Sequence, residues 1–254
     1  MHLVRERLRN VPAKAAGFAL DFLLPLRCIS CGLRVATKNS LCADCWQAMP
    51  FIDKPWCHRF GSPFSYDVGE MAWSPRAIAN PPVFERLRAA ALYEGPARDL
   101  VLAFKFSKRR ELAGPMARWM ARNGQEFLSP DSVIVPVPLH WLRLVSRRFN
   151  QSADLAKEIA AGCGGAFEPE MLKRRKRTRQ QVGLSAEERR MNVRSAFSVD
   201  PRRETQLQGR HVVLIDDVMT TGSTISACSK TLLSAGAHSV DVLTFALADP
   251  SLRT

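Results

Sequence analysis

An apolar run, two adjacent acids and a loop of hydroxyl residues and glycine form the part of this sequence best suited to chemistry. The run Val212–Ile215 predicts a buried parallel strand, and Asp216 and Asp217 follow it directly. The loop before the next predicted helix contains Thr220, Thr221, Gly222, Ser223 and Thr224. Unpaired N–H groups and the dipole at a helix N-terminus both favour an anion, so the loop predicts a phosphate site. Two carboxylates beside it suit a sugar phosphate, whose hydroxyls or Mg²⁺ they would bind.

The same residues would also fit an ordinary strand–turn–helix with an acidic cap. That interpretation does not explain why both acids, the glycine and several hydroxyls occur together. The sequence contains no G-x-x-x-x-G-K-[ST] pattern, so it does not predict a nucleoside-triphosphate loop.

Four of the seven cysteines are arranged as two C-x₂-C pairs with ten residues between the pairs: Cys28, Cys31, Cys42 and Cys45. Four thiolates complete a tetrahedral Zn²⁺ site and leave no position for water, which predicts a structural metal. Two disulfides or idle thiols are the alternative. Because no export signal is recognisable, we expect a cytoplasmic protein with reduced thiols, which favours zinc.

The composition of the 254 residues includes 46% hydrophobic residues and a formal net charge of +13. The hydrophobic share is ample for a core, and the charge favours an anionic partner such as nucleic acid, polyphosphate or an anionic membrane surface. No run of 18 apolar residues occurs, so the sequence predicts no transmembrane helix.

The order of predicted elements indicates four regions. Residues 1–26 predict an amphipathic helix that packs on the main domain or, alternatively, contacts a membrane surface. Residues 27–65 predict a zinc ribbon that depends on its metal, and residues 66–82 predict a linker. Residues 83–250 alternate strands with helices, which predicts a parallel α/β sheet. No internal repeat is visible in the sequence.

The strand, acid pair and Thr-Gly loop resemble the phosphoribosyl pyrophosphate (PRPP) motif of type I phosphoribosyltransferases. Together with the ribbon and linker, the chain from about Pro25 to Leu247 resembles the ComF family. The segments 135–139 and 147–151 resemble that family's pyrophosphate loop and its Arg-Gly-Phe-Asn-Gln segment. One departure is Phe60, which replaces the second cysteine of a further Cys-x-x-Cys-Gly. The resemblance therefore implies a double-zinc-ribbon-like domain over residues 27–65 with a degenerate second half. Cys57 and His58 are therefore either left over or part of the zinc shell.

The resemblance implies a type I phosphoribosyltransferase-like parallel sheet flanked by helices and preceded by a small Cys₄ zinc ribbon. It implies that Asp216 and Asp217 are the catalytic residues that hold the ribose hydroxyls, and that residues 220–224 hold the 5′-phosphate. Mg²⁺ and protein donors would clamp the pyrophosphate leaving group. The candidates for that clamp are the backbone at Val137 and Pro138 and the cations Lys105 and Arg148.

The acceptor of a phosphoribosyl transfer is not indicated by any motif, so two functions stay open. One is a phosphoribosyltransferase that binds PRPP or a related sugar phosphate. The other is a non-catalytic accessory protein that binds single-stranded DNA together with DNA-uptake machinery proteins, as the resemblance implies.

A basic segment fits a solvated loop, a lid over pyrophosphate or a contact to nucleic-acid phosphates: Arg174, Arg175, Lys176, Arg177 and Arg179.

Overall fold

The computed structural model describes residues 25–69, 71–107, 109–139, 149–174 and 196–248. The chain divides into two compact units, Met1–Ala48 and Met49–Thr254. The predicted helix at 1–26 falls almost wholly outside the described residues, as do Arg148 and the basic residues 175–179. Within the described ranges, no helix combines the length and apolar character needed to cross a bilayer.

The first unit contains one short helix in its described part, α1 (Ala43–Gln47). The described helices of the second unit are α2 (Pro75–Ala79), α3 (Gly95–Phe106), α4 (Ala113–Gly124), α5 (Gln151–Cys163), α6 (Glu204–Leu207) and α7 (Ser223–Ser234). Its described strands are β1 (Leu87–Leu92), β2 (Val133–Pro136), β3 (Ala166–Phe167), β4 (Leu172–Arg174), β5 (Phe197–Val199), β6 (His211–Met219) and β7 (Ser239–Leu247). Short 3₁₀ turns lie at Arg110–Leu112 and Pro201–Arg203.

A five-stranded parallel sheet forms the core of the second unit, with the strand order β1-β7-β6-β2-β3. Strands buried on both faces need continuous apolar sequence, and β7 is buried at every position after its first. A separate antiparallel pair, β4 and β5, lies outside this sheet. The predicted fold class, a parallel α/β sheet with flanking helices, is confirmed.

The strand that carries the two acids is longer than the sequence indicates. The prediction ends it at Ile215, whereas β6 continues to Met219 and stays paired with β7, with Asp216 opposite Thr244. The pairing partner lies far away in sequence, so local propensity does not reveal this extension. Because successive side chains of a strand alternate between faces, Asp216 and Asp217 point to opposite sides of the sheet. Pairing with β7 therefore fixes the backbone at both acids and the directions in which their side chains point.

The segment that precedes β1 packs against the sheet. The N–H of Ile52 donates to the carbonyl of Ala90 at 3.0 Å, and the N–H of Leu87 donates to the carbonyl of Arg59 at 2.8 Å. Helix α2 lies inside the region expected to be a linker, and its Ala77 is fully buried. Part of the predicted linker, residues 66–82, is therefore helical and contributes a residue to the core.

Candidate functional site

The four paired cysteines of the first unit converge on one point. Their sulfur atoms all lie within 4.8 Å of one another, and the sulfurs of Cys31 and Cys42 are 3.6 Å apart. A tetrahedral Zn²⁺ with Zn–S bonds of about 2.3 Å holds its sulfurs about 3.8 Å apart. The donor set and its spacing therefore fit a structural zinc site that closes the metal off from water.

The thiols of this cluster differ in acidity. Burial alone would raise the pKa of Cys28, but backbone N–H groups of Cys31, Cys42 and Ser30 lower it to about 6. Burial raises the pKa of Cys45 to about 12, and the three neighbouring thiols add to the rise. A bound Zn²⁺ stabilises thiolates and would reverse that rise. The surroundings thus shift the pKa values of two thiols in this cluster in opposite directions.

The backbone of the Cys₄ ribbon is repeated in the second unit, although the sequence shows no repeat apart from the degenerate Cys-x-x-Cys-Gly at residues 57–61. The bridge between Arg27 and Arg34 has its counterpart between Trp56 and Pro63. The N–H of Cys28 donates to Leu33 at 2.7 Å, and that of Cys57 donates to Ser62 at 2.8 Å. A glycine with positive φ follows in each segment, Gly32 at 79° and Gly61 at 63°.

The later halves of the two segments match as well. The sulfur of Cys28 accepts the N–H of Cys42 at 3.2 Å, and the sulfur of Cys57 accepts the N–H of Ser74 at 3.2 Å. Cys42 caps α1 and Ser74 caps α2, each through its own side chain. The ligand positions of the second segment are therefore Cys57, Phe60, Ser74 and Ala77.

Apolar burial takes the place of ligands in this second segment. Cys57 and Ala77 are fully buried, and Phe60 is 6% exposed. The Phe60 ring packs edge-on against Phe84 at 5.9 Å, and the Arg76 guanidinium lies 4.5 Å from the centre of the Phe60 ring. The metal-ligating cluster found among the described residues contains neither Cys57 nor His58.

The second candidate site lies at the carboxyl end of β6. The Lys105 ammonium, from the last turn of α3, lies 2.9 Å from a carboxylate oxygen of Asp217. A carboxylate oxygen of Asp216 accepts the hydroxyl of Ser152, at the start of α5, at 2.9 Å. Burial and the nearby charge of Asp217 raise the pKa of Asp216 to about 7. One acid is thus paired with a cation, whereas burial beside a second carboxylate disfavours the charged form of the other.

The loop between β6 and α7 has the shape of an anion site. Gly222 precedes the helix with φ of 78°, a backbone conformation that favours glycine; a Cβ there would meet only the flexible end of the Met219 side chain, so the conformation rather than the space selects glycine. The Thr221 and Ser223 hydroxyls are 3.0 Å apart. Gly222 has no side chain with which to cap α7, and the hydroxyl oxygen of Thr221 accepts the N–H of Ser223, the first residue of the helix, at 3.5 Å. The N–H groups of a first helical turn have no partner within the helix, so they are available to an anion.

The end of β2 lies beside the acids through backbone contacts. The N–H of Val137 donates to the carbonyl of Ile215 at 2.9 Å, and the Asn150 amide donates to the carbonyl of Val137 at 3.1 Å. Both backbone groups of Val137 are therefore engaged, and Pro138 has no N–H. A phosphate beside this strand end would have to find its donors on neighbouring residues.

Two residues of this neighbourhood, Asn150 and Ser152, were missed by the sequence analysis. Asn150 belongs to a segment that matched a family pattern, and Ser152 follows one residue after that segment, so the pattern did contain a signal for them. Of the basic segment, Arg174 is described: it ends β4 and lies 5.3 Å from the ring centre of Phe197.

Two family models match the parts of the chain that contain the candidate sites. A model of the double zinc ribbon domain matches residues 19–75, and a model of the phosphoribosyl transferase domain matches residues 135–253. The ribbon model thus spans both repeated segments, whereas the first compact unit ends at Ala48. The predicted boundaries at residues 65 and 82 therefore stay predictions.

Several curated proteins resemble nearly the whole chain. DNA utilization protein YhgH of Escherichia coli K12 is 34% identical over 226 residues, which cover 86% of this chain and 96% of the relative. Competence protein F of Haemophilus influenzae is 30% identical over 224 residues, which cover 85% and 94%. A solved hypoxanthine phosphoribosyltransferase of Staphylococcus aureus is 16% identical, with a TM-score of 0.34 over 57% of this chain and 67% of that chain.

Proposed function

This chain belongs to the family of competence protein F and DNA utilization protein YhgH, and from that premise we propose that it binds PRPP or a related sugar phosphate together with Mg²⁺. The observation that carries the proposal is the acid pair of β6, which is followed by a hydroxyl-rich loop and a helix N-terminus whose N-cap is a glycine with positive φ. In the proposed complex, Asp216 and Asp217 bind the ribose hydroxyls. The loop from Thr220 to Thr224 binds the 5′-phosphate.

The residues at this site fit a magnesium ion. Mg²⁺ prefers hard oxygen ligands and is held in proteins by one or two carboxylates together with substrate phosphates. Asp216 and Asp217 supply the carboxylates, and the sugar phosphate would supply the remaining oxygens. When bound, the ion would neutralise charge that develops on a departing pyrophosphate.

The ion pair between Lys105 and Asp217 compensates the negative charge of this carboxylate when no ligand is bound. The ammonium lies 2.9 Å from a carboxylate oxygen of Asp217. When Mg²⁺ or ribose hydroxyls bind Asp217, the ammonium becomes available for a phosphate oxygen of the same ligand. Lys105 is therefore proposed as a cation for pyrophosphate, and the acceptor of the ribosyl group is left to experiment.

The physiological setting is proposed from the relatives. Their names refer to DNA utilization and to competence, so we propose a role in the uptake or use of DNA. A cytoplasmic location is part of the proposal, because four thiolates persist as zinc ligands in a reducing compartment.

Calorimetry with PRPP and Mg²⁺ tests the binding proposal. Asp216→Asn combined with Asp217→Asn should weaken binding at least tenfold, because each charge-assisted hydrogen bond contributes about 1.5–3 kcal/mol. Asp99→Asn, at an exposed position of α3, is the matched control and should bind as the native protein does. Equal affinity in the double variant and the native protein would rule the site out.

Release of pyrophosphate separates an enzyme from a binding protein. Native protein is incubated with PRPP, Mg²⁺ and candidate acceptors such as bases and ammonia, and pyrophosphate is measured with time. Acceptor-dependent release that is lost in the double variant would establish transfer. Tight binding without release would favour the alternative function, a non-catalytic accessory protein that retains the fold.

A further inference from the structure

A cleft of about 1330 Å³ runs along α7 and opens at the phosphate loop. Thr221, Gly222 and Ser223 line one end, and the last turn of α7 lines the other. The helix spans Ser223–Ser234, so at 1.5 Å per residue the cleft follows it for about 18 Å. Ligand pockets usually measure about 300–1,000 Å³. The cleft is therefore larger than a ribose 5-phosphate requires.

The position of the cleft decides which part of a ligand would enter it. Thr221–Ser223 belong to its lining, but Asp216 and Asp217 do not. In the proposed complex the acids hold the ribose hydroxyls, whereas the loop holds the 5′-phosphate. The cleft thus leads away from the ribose and beyond the 5′-phosphate. It accepts a group that is esterified to that phosphate rather than an acceptor that attacks the ribose.

The lining combines cationic, hydrogen-bonding and apolar groups. Lys230 lies on α7, and Arg76 of α2 also lines the cleft, with its guanidinium 4.5 Å from the centre of the Phe60 ring. Among the described lining residues, Glu204 alone is acidic. Apolar surface comes from Phe60, Val83, Val199 and Leu233. Cations beside apolar surface suit a phosphate joined to a base, because the base needs a face to lie on and the phosphate needs a counter-charge.

We propose that this cleft binds the penultimate nucleotide of a single-stranded nucleic acid whose terminal nucleotide occupies the sugar-phosphate site. The 3′-terminal ribose lies on Asp216 and Asp217, and its 5′-phosphodiester lies on the loop at Thr221–Ser223. The preceding nucleotide continues along α7, where Lys230 binds its 5′-phosphate. This inference rests on the proposed function, because it requires a sugar phosphate at the acids.

The test compares uridine 5′-monophosphate with the 5′-phosphorylated dinucleotide pUpU by calorimetry at two salt concentrations, with ribose 5-phosphate as a competitor. We expect pUpU to bind at least tenfold more tightly than the monophosphate and to be displaced by ribose 5-phosphate. Lys230→Gln should weaken pUpU about three- to tenfold and reduce its log–log salt slope by about 0.7, as expected for one phosphate contact to a single strand. Lys157→Gln, an exposed lysine of α5, is the matched control.

A second variant tests the far end of the cleft. Ser234 is exposed at the end of α7 and lines the cleft, so Ser234→Trp should fill the space without disturbing the core. We expect it to weaken pUpU while leaving ribose 5-phosphate unchanged. If pUpU binds no more tightly than the monophosphate, or is not displaced by ribose 5-phosphate, the inference is overturned although the sugar-phosphate site stands. If ribose 5-phosphate itself fails to bind, the proposed function fails first.

Discussion

Two segments of this chain share one backbone plan but are held together differently. In residues 27–45 the turn and the following helix bring four thiols to one point. In residues 56–77 the same turn and helix bring together Cys57, Phe60, Ser74 and Ala77. Both segments keep the contact from the first cysteine sulfur to the N–H of the residue that caps the helix, at 3.2 Å in each. The hydrogen-bond framework therefore persists after the ligands are exchanged for apolar side chains.

The surroundings explain why the first segment depends on a metal and the second on apolar burial. The first segment forms most of the described part of a small unit, and so short a chain buries too little apolar surface to fold without a metal. The second segment packs on the sheet: Arg59 and His58 accept hydrogen bonds from Leu87 and Arg88 at 2.8 and 2.9 Å. Burial against a larger core can thus stabilise a segment with the ribbon backbone that contains no Cys₄ site.

Removal of the metal should have the largest effect, and only on the first segment. Cys42→Ser should abolish zinc binding and unfold residues 25–48, because structural zinc contributes on the order of 10–16 kcal/mol in isolated zinc-finger peptides. Elemental analysis gives the zinc content, and hydrogen exchange reports which residues lose protection. Cys57→Ser is the matched control and should keep one zinc per chain. Two zinc ions in the native protein, or loss of zinc from the control, would refute the comparison.

A second zinc site should be recoverable in the second segment. With Phe60→Cys, Ser74→Cys and Ala77→Cys, four thiols would stand on a backbone that already matches the first ribbon, and zinc content should rise from one ion to two. Elemental analysis and cobalt absorption are the measurements. The control replaces Phe60 and Ala77 with serine and keeps Ser74, so it removes the same apolar groups without adding thiols. A folded triple variant with one zinc would show that the segments differ in more than their ligands.

Loss of the apolar replacement should destabilise the second segment. Phe60→Ala should lower the free energy of unfolding by about 3–5 kcal/mol, the usual cost of removing a buried aromatic ring. Chemical denaturation measures the change. Ile78→Ala, at a position of α2 that is 65% exposed, should cost less than about 1 kcal/mol. If the two variants unfold at the same denaturant concentration, Phe60 is not the residue that replaces the metal.

The sequence alone predicted what depends on local pattern. The Cys₄ cluster follows from spacing, and the strands β1, β2, β6 and β7 follow from apolar runs. The sequence indicated the second turn only through Cys57 and Gly61, which keep their residue types, and it did not reveal that Ser74 and Ala77 occupy the remaining ligand positions. The two segments thus share their backbone hydrogen bonds although most of their residue types differ.

The candidate site shows the same limit. The acids and the loop are contiguous in sequence and were found there, but the roles assigned to them stay predictions. The partners Lys105 and Ser152 come from distant helices, and their distances to the acids depend on how α3 and α5 pack on the sheet. The extension of β6 through Asp216 likewise depends on pairing with β7. Such contacts are set by tertiary structure, and propensity carries no information about them.

The smallest expected effect concerns the residue that caps each helix. Ser74 accepts the N–H of Ala77 at 3.4 Å, whereas at the matching position of the first segment Cys42 accepts the N–H of Cys45 at 3.5 Å and is also a predicted zinc ligand. Because Ser74 acts as a cap alone, Ser74→Ala should lower the free energy of unfolding by about 1 kcal/mol and leave zinc content unchanged. Ser74→Asp keeps a capping oxygen and should restore stability to within a few tenths of a kcal/mol. Denaturant titration and the exchange rate of the Ala77 amide measure the effect. If the Ser74→Ala variant is as stable as the native protein, packing on the sheet rather than the cap holds α2 in place.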